Sequence, residues 1–379
     1  MRINYLLFAL LTTIGITFSS CIKDEAIGRE TDILKATIED AEEYLSMNPT
    51  ITNNKVFFLL HSDIKKKTFA PTFKLTEGAT IEPANGTTQD FSSGAVKYTI
   101  TSSDGLFKKV YNVSFINNTF ISEYSFENVK TEITDGPEGI YHEFYEKLPT
   151  GEEKYDWASG NLGYNMLAET LLEDDQELSP EVYPTFSIND GYKGKGVKMV
   201  TRSTGPLGNM MKTPLAAGNL YLGVFDFTFP PINSTKFGIP YGQKLNMPVS
   251  LTGYYKYKAG ENFKVNSTDG SNYTKDGWDA YAIIFEKGSD SSKEYLGGNH
   301  SFQDPRMVAM ARLSDKQRLE ANDWTSFEIP FTVLPGKTFD PENNYMITIV
   351  FSSSVEGDRF NGAVGSTLYI DEVKLNYDK

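Results

Sequence analysis

Along most of this chain, apolar and polar residues alternate at every second position, the period of a pleated strand with one buried face. Between 32 and 118 the runs are short. Lys55-Val56-Phe57-Phe58-Leu59-Leu60 is an apolar stretch bounded by polar residues, and Val96, Tyr98 and Ile100 alternate with Lys97, Thr99 and Thr101. Ser103-Asp104-Gly105 then returns the chain into Val110-Tyr111-Asn112-Val113-Ser114-Phe115, which predicts a hairpin about an Asp-Gly turn. A small antiparallel β-sandwich is the expected outcome for 32–118. From 120 to 379 the scale changes, with longer predicted strands at 220–229, 250–258, 281–286, 307–313, 345–351 and 367–375, separated by long polar loops. Helical periodicity is confined to 165–173 and a short turn at 315–321. The chain reads as all-β, and strands of this length predict a two-sheet jelly roll, whose closure limits exposed edges.

Residues 1–20 stand outside this pattern. Arg2, an apolar run from Tyr5 to Ile16, and Phe18-Ser19-Ser20 ahead of Cys21 form a lipoprotein signal peptide. The run is shorter than the roughly 20 apolar residues of a spanning helix. Cys21 is the only cysteine, which excludes an internal disulfide and places the thiol where a bacterial lipoprotein is acylated. Acyl chains there would anchor the protein at roughly 0.8 kcal/mol per buried methylene, with 21–31 as a lipidated linker. Within it, Ile22-Lys23-Asp24-Glu25 resembles the lysine-plus-acidic tag of Bacteroides-type lipoproteins displayed at the cell surface. The expected location is the outer membrane, on the cell surface.

Composition narrows the function. Fifty acidic residues against 36 basic give a net charge of −14, which disfavours nucleic acid as a partner, since phosphates demand basic patches. The 22 Tyr and 25 Phe suit pleated sheets and supply flat faces for sugars.

Two family resemblances follow from particular residues. Pro71-Thr72-Phe73-Lys74-Leu75-Thr76-Glu77-Gly78-Ala79-Thr80-Ile81-Glu82-Pro83 and Gln89-Asp90-Phe91-Ser92 resemble the immunoglobulin-like spacer domains of Bacteroides-type surface lipoproteins. Further on come Phe126-Glu127, Trp157-Ala158-Ser159-Gly160-Asn161, Ala216-Ala217-Gly218-Asn219-Leu220, the stretch from Pro248 to Lys258, Phe351-Ser352-Ser353-Ser354 with Gly357-Asp358, and Gly365-Ser366 through Val373. In that order they resemble the putative carbohydrate metabolism domain family of the same lipoproteins. That resemblance implies a jelly-roll β-sandwich similar to carbohydrate-binding modules over 120–379, behind an immunoglobulin-like β-sandwich, in a polysaccharide-utilisation setting. It would bind polysaccharide or oligosaccharide, alongside other glycan-utilisation proteins. Similarity to sugar-binding jelly rolls also implies a structural calcium joining first strand to last, at Glu127 and Asp371.

Sugar recognition needs aromatic faces for pyranose C–H groups and planar polar groups for adjacent hydroxyls. Trp157, Asn161 and Tyr164 lie together on a polar, glycine-containing segment. Asp276, Trp278, Asp279 and Tyr281 form a second cluster at the start of a strand. Partial burial at a sheet corner is the competing position for both tryptophans, while Trp324, leading into Phe327, Ile329 and Phe331, reads as core. In 250–258, Leu251, Tyr255 and Tyr257 share an inward face and Tyr254, Lys256 and Lys258 a wet one, so Tyr254 is a ligand-facing candidate. For catalysis, His61, His142 and His300 stand in unrelated contexts, with His142 and Glu143 read as surface, and no nucleophile elbow, metal-binding or phosphate-binding motif occurs. The expected function is non-catalytic glycan binding. The alternatives are a glycoside hydrolase or lyase using Asp226, Asp276 or Asp279 on the concave sheet face, and a structural or adhesive surface protein.

Overall fold

A computed structural model describes residues 28–378, apart from 62–63, 118, 134–139, 149–150, 173–175, 229–230, 242–244, 269, 289–293 and 299–301. The signal peptide, Cys21 and the Lys23-Asp24-Glu25 tag lie outside the described residues, as does His300. Among those described, no helix is long and apolar enough to cross a membrane.

The first unit is a β-sandwich. One sheet runs in the order Thr50–Ile51, Lys55–Leu60, Lys108–Asn117, Val96–Thr101 and Thr80–Glu82. Facing it, Ile33–Thr37 pairs with Thr72–Leu75, and Thr68–Phe69 with Gln89–Asp90. The Asp-Gly hairpin forms as its alternation requires, pairing Val96 with Val113 and Thr101 with Lys108. One expectation is corrected: Lys55–Leu60 runs parallel to Lys108–Asn117, so the unit is not purely antiparallel. Its apolar character on both faces is what a strand covered on both sides needs. Phe58, Phe69 and Phe91 pack on Phe115 with ring centroids 4.3, 4.1 and 4.5 Å away, at the centre of this core.

The second unit is the larger β-sandwich. Its six-stranded sheet orders Thr185–Ile188, Gly196–Val200, Thr367–Asn376, Ser250–Lys258 and Ala321–Pro330, and Glu123–Tyr124 also pairs with Thr367–Asn376. The nine-stranded sheet orders Leu296–Gly297, Thr235–Phe237, Asn219–Phe225, Tyr345–Ser352, Asp279–Glu286, Met307–Arg312 and Thr332–Val333, with Trp157–Ala158 also paired to Asn219–Phe225 and Ile239–Tyr241 to Tyr345–Ser352. Between the sheets, Leu251, Tyr255 and Tyr257 meet Ala282, Ile284, Ile347 and Phe351. Each fully enclosed large side chain contributes roughly 1.5–3 kcal/mol of burial.

The predicted strand at 220–229 ends at Phe225. Gly223, with φ of 149°, lets Lys236 O approach to where a Cβ would stand 2.2 Å away, so the crossing of Thr235–Phe237 depends on a bare backbone there. The helix falls at Asn161–Ala168 with a 3-10 turn at Glu169–Leu171, earlier than the periodicity predicts.

Both faces of Asp279–Glu286 are covered. Ala280, Ala282 and Ile284 face the sandwich interior, while Tyr281, Ile283 and Phe285 face a second cluster with Phe237, Leu296 and Met346. Met47 of the first unit joins that cluster, so the two units are packed together. Polar contacts reinforce the junction: Asn48 donates to Glu294, Lys287 Nζ to Ser46 O, and Lys55 forms ion pairs with both Glu132 and Glu143. Glu143 is therefore no surface group, because it lies on Val129–Ile133's partner strand Ile140–Phe144, against the first unit.

Candidate functional site

The predicted site residues separate into core and surface. The Trp278 indole has no exposed area and stacks on Tyr255 at 4.3 Å, with Phe327 at its edge. Trp157, 6% exposed, is enclosed by Tyr124, Phe126 and Phe351. Neither presents a face to a ligand, and the assignment of both as stacking platforms is corrected: their apolar area is worth more between the sheets than on a polar loop. Trp324 is corrected in the opposite sense. Phe327, Ile329 and Phe331 are buried as their alternation predicts, but Trp324 lies on the outer face of the six-stranded sheet. Tyr254 is outward as expected, its ring stacked on Tyr192 at 3.6 Å.

The polar residues of the two clusters mostly hold the fold. Asn161 is buried and clamps Thr185, donating to its carbonyl at 2.7 Å and accepting from its N–H at 3.1 Å. Asp276 is buried where one oxygen accepts from Ser354 Oγ, Ser366 Oγ and the Ala363 N–H at 2.7–2.8 Å. Burial outweighs these bonds and holds its carboxyl above the ordinary carboxylate range. These two residues are structural clamps. Asp226, just past the end of Asn219–Phe225, forms a half-exposed ion pair with Lys236.

Three of the candidates do converge. A cleft of about 510 Å³ opens on the outer face of the nine-stranded sheet, and Tyr164, Asp279 and Tyr281 line it. Asp279 is buried and accepts from Arg312 at 3.1 Å and Arg318 at 2.7 Å. Arg312 in turn stacks its guanidinium 3.6 Å from the Phe302 ring, which meets Tyr281 edge-on at 4.9 Å. Phe360, Asn219 and Glu356 complete walls that combine aromatic faces with planar polar groups. The volume lies within the roughly 300–1,000 Å³ of small-molecule sites.

The description "Putative carbohydrate metabolism domain" matches residues 125–376, and "SGBP, N-terminal" matches 33–114. The chain belongs to the putative carbohydrate metabolism domain family. A crystal structure from Bacteroides thetaiotaomicron, described as a putative glycoside hydrolase, is 38% identical, covers 94% of this chain and 99% of its own, and superposes with a TM-score of 0.82. A second so described, from Bacteroides vulgatus, is 35% identical over 67% of this chain and 97% of its own, with a TM-score of 0.57. Among curated proteins none matches.

In this member of the putative carbohydrate metabolism domain family, Glu127 and Asp371 converge on one loop. Lys193 N–H donates to Asp371 Oδ2 at 2.9 Å, Glu372 N–H to its Oδ1 at 2.7 Å, and Lys195 N–H to Glu127 Oε1 at 3.1 Å. Burial pushes Asp371 up to about 6. Backbone amides thus take up oxygens that a calcium ion would need, and no group of three acidic, His or Cys side chains gathers among the described residues. Two carboxylates alone do not make a calcium shell of six to eight oxygens. Sequence reasoning missed Arg312, Phe302 and Phe360. The available signal was charge: Arg312 ends an apolar strand, where a buried carboxylate partner is required.

Proposed function

We propose that this chain is a cell-surface lipoprotein whose C-terminal unit binds glycan non-catalytically in the cleft beside Asp279 and Arg312. The observation that carries the reading is the joining of aromatic walls to a planar carboxylate–guanidinium pair in one sugar-sized cleft. Rings of Phe302 and Phe360 would take pyranose C–H faces, and Arg312, held in place by Asp279, would bond neighbouring hydroxyls. The family description and the match of the first unit to SGBP, N-terminal support a surface role in polysaccharide use. Cys21, behind Ser19 and Ser20, supplies the lipid anchor. Affinity electrophoresis of the full chain through a panel of neutral plant, host and microbial polysaccharides tests it. At least one polymer should retard the protein, and Arg312→Ala and Phe360→Ala should each weaken that retardation about tenfold or more, the scale of a hot-spot contact. No retardation by any polymer, or retardation of both variants as strong as that of the wild type, overturns it.

A second reading, glycan cleavage, is favoured by the description of both Bacteroides relatives as putative glycoside hydrolases. Asp279, Glu356 and Asp358 are the carboxylates lining the cleft. Asp279 is committed to two arginines and Glu356 Oε2 accepts from Asn361 at 2.9 Å, whereas a glycosidase needs a free acid and a free base or nucleophile. Release of reducing ends from the same panel decides between the readings.

A further inference from the structure

The six-stranded sheet carries a second surface, far from the chemistry of the cleft. Across neighbouring strands Lys198 lies opposite Tyr369, and Tyr369 opposite Lys256. The pairing of Ser250–Lys258 with Ala321–Pro330 slips between Tyr255 and Tyr257, and this irregularity brings Trp324 against Lys256. The result is a lateral row, Lys198, Tyr369, Lys256, Trp324, perpendicular to the strands. Each ammonium sits over rings: Lys256 Nζ is 4.7 Å from the Trp324 centroid and 4.8 Å from that of Tyr369, and Lys198 Nζ is 5.3 Å from Tyr369. Beside the row, Tyr192 is 47% exposed and stacks on Tyr254.

Two features make this more than a solvated face. First, in a chain with 50 acidic residues, neither lysine has a carboxylate partner among the described residues; each is held on aromatic rings instead. Second, the Trp324 and Tyr369 rings stand 6.4 Å apart and nearly perpendicular, with the Lys256 ammonium against both, so charge and aromatic surface are presented together on one exposed face. The ammonium groups would meet the carboxylates of an acidic sugar chain, and the rings beside them its apolar C–H groups.

We propose that this row is a second binding surface, for an extended acidic polysaccharide of the polyuronate class lying across the strands. It is independent of the cleft, which belongs to the other sheet. The test is affinity electrophoresis of the full chain in polygalacturonate and in the same polymer after its carboxyl groups are reduced. The wild type should be retarded by the acidic polymer and not by the reduced one, with retardation falling as salt rises. Lys198→Gln/Lys256→Gln and Trp324→Ala should each weaken it tenfold or more while melting like the wild type, and Arg312→Ala should leave it unchanged. The proposal is overturned if the wild type is not retarded by polygalacturonate, if the lysine double variant is retarded as strongly as the wild type, or if Arg312→Ala abolishes retardation, which would put the polymer in the cleft.

Discussion

At the scale of single residues, the three tryptophans show what alternation can and cannot read. Phe327, Ile329, Tyr255 and Tyr257 were legible because each belongs to a strand whose period fixes its face. Trp157 and Trp278 stand just outside such runs, in polar stretches, and their burial depends on rings supplied by strands far away in sequence. Trp324 stands three residues before Phe327, so the same alternation already puts it on the opposite, outer face, and reading it as core overrode the period. These positions predict opposite behaviour. Trp278→Ala should cost about 3–5 kcal/mol by leaving a cavity beside Tyr255 and Phe327. Trp324→Ala should cost about 1 kcal/mol or less, the value of an exposed cation–π contact. Urea unfolding of the two variants checks the contrast, and equal destabilisation would refute the placement.

At the scale of elements, most long strands were legible and their partners were not. Runs such as 281–286 and 345–351 declare themselves by being apolar throughout, yet nothing local states that Tyr345–Ser352 lies between Asn219–Phe225 and Asp279–Glu286. The cleft was half legible for the same reason. Asp279 and Tyr281 begin a readable strand, whereas Arg312, Phe302 and Phe360 reach them only through pairing and loop closure. Asp276 is the device that closes one such loop. By accepting from Ser354, Ala363 and Ser366 it ties the segment containing Glu356 and Phe360, a wall of the cleft, to the start of Asp279–Glu286. Removing it takes the acceptor from three donors, of which Ser354 keeps Thr201 beside it, at about 1–3 kcal/mol for each that is left buried and unpaired. Asp276→Ala should therefore lower stability by roughly 3 kcal/mol or more and speed hydrogen exchange at Ala363, and a slow exchange rate kept in the variant would show that the wall is held by other means.

At the scale of the whole molecule, one cluster at the junction between the two units joins a single cation to two carboxylates. Lys55 Nζ is paired with Glu132 at 2.6 Å and with Glu143, and lies 4.3 Å from the Tyr155 ring, so both units contribute to a cluster largely withdrawn from water. Burial pushes Glu143 up to about 7, with Lys55 opposing and Glu132 adding to the rise. Glu132 is lowered, because the pull of Lys55 and its hydrogen bonds outweigh burial. The reason is charge balance: one ammonium neutralises one carboxylate, and the second is better kept protonated. Sign follows from linkage. A carboxyl whose folded value is raised from an ordinary 4.5 to about 7 holds its proton more tightly folded than unfolded, so its contribution is complete below 4.5 and is lost as pH rises through 7. Glu132 works in the opposite sense, but only as pH falls below the ordinary 4.5. Between these limits Glu143 governs the junction, and Glu146, also raised to about 7 by burial, adds a slope of the same sign from within the second unit. The melting temperature should therefore decline from pH 5 to pH 7.5, and Glu143→Gln, which keeps the neutral form at every pH, should flatten the part of that decline due to the junction while leaving the part due to Glu146. A variant with the full wild-type slope would show that the cluster does not couple the units to pH.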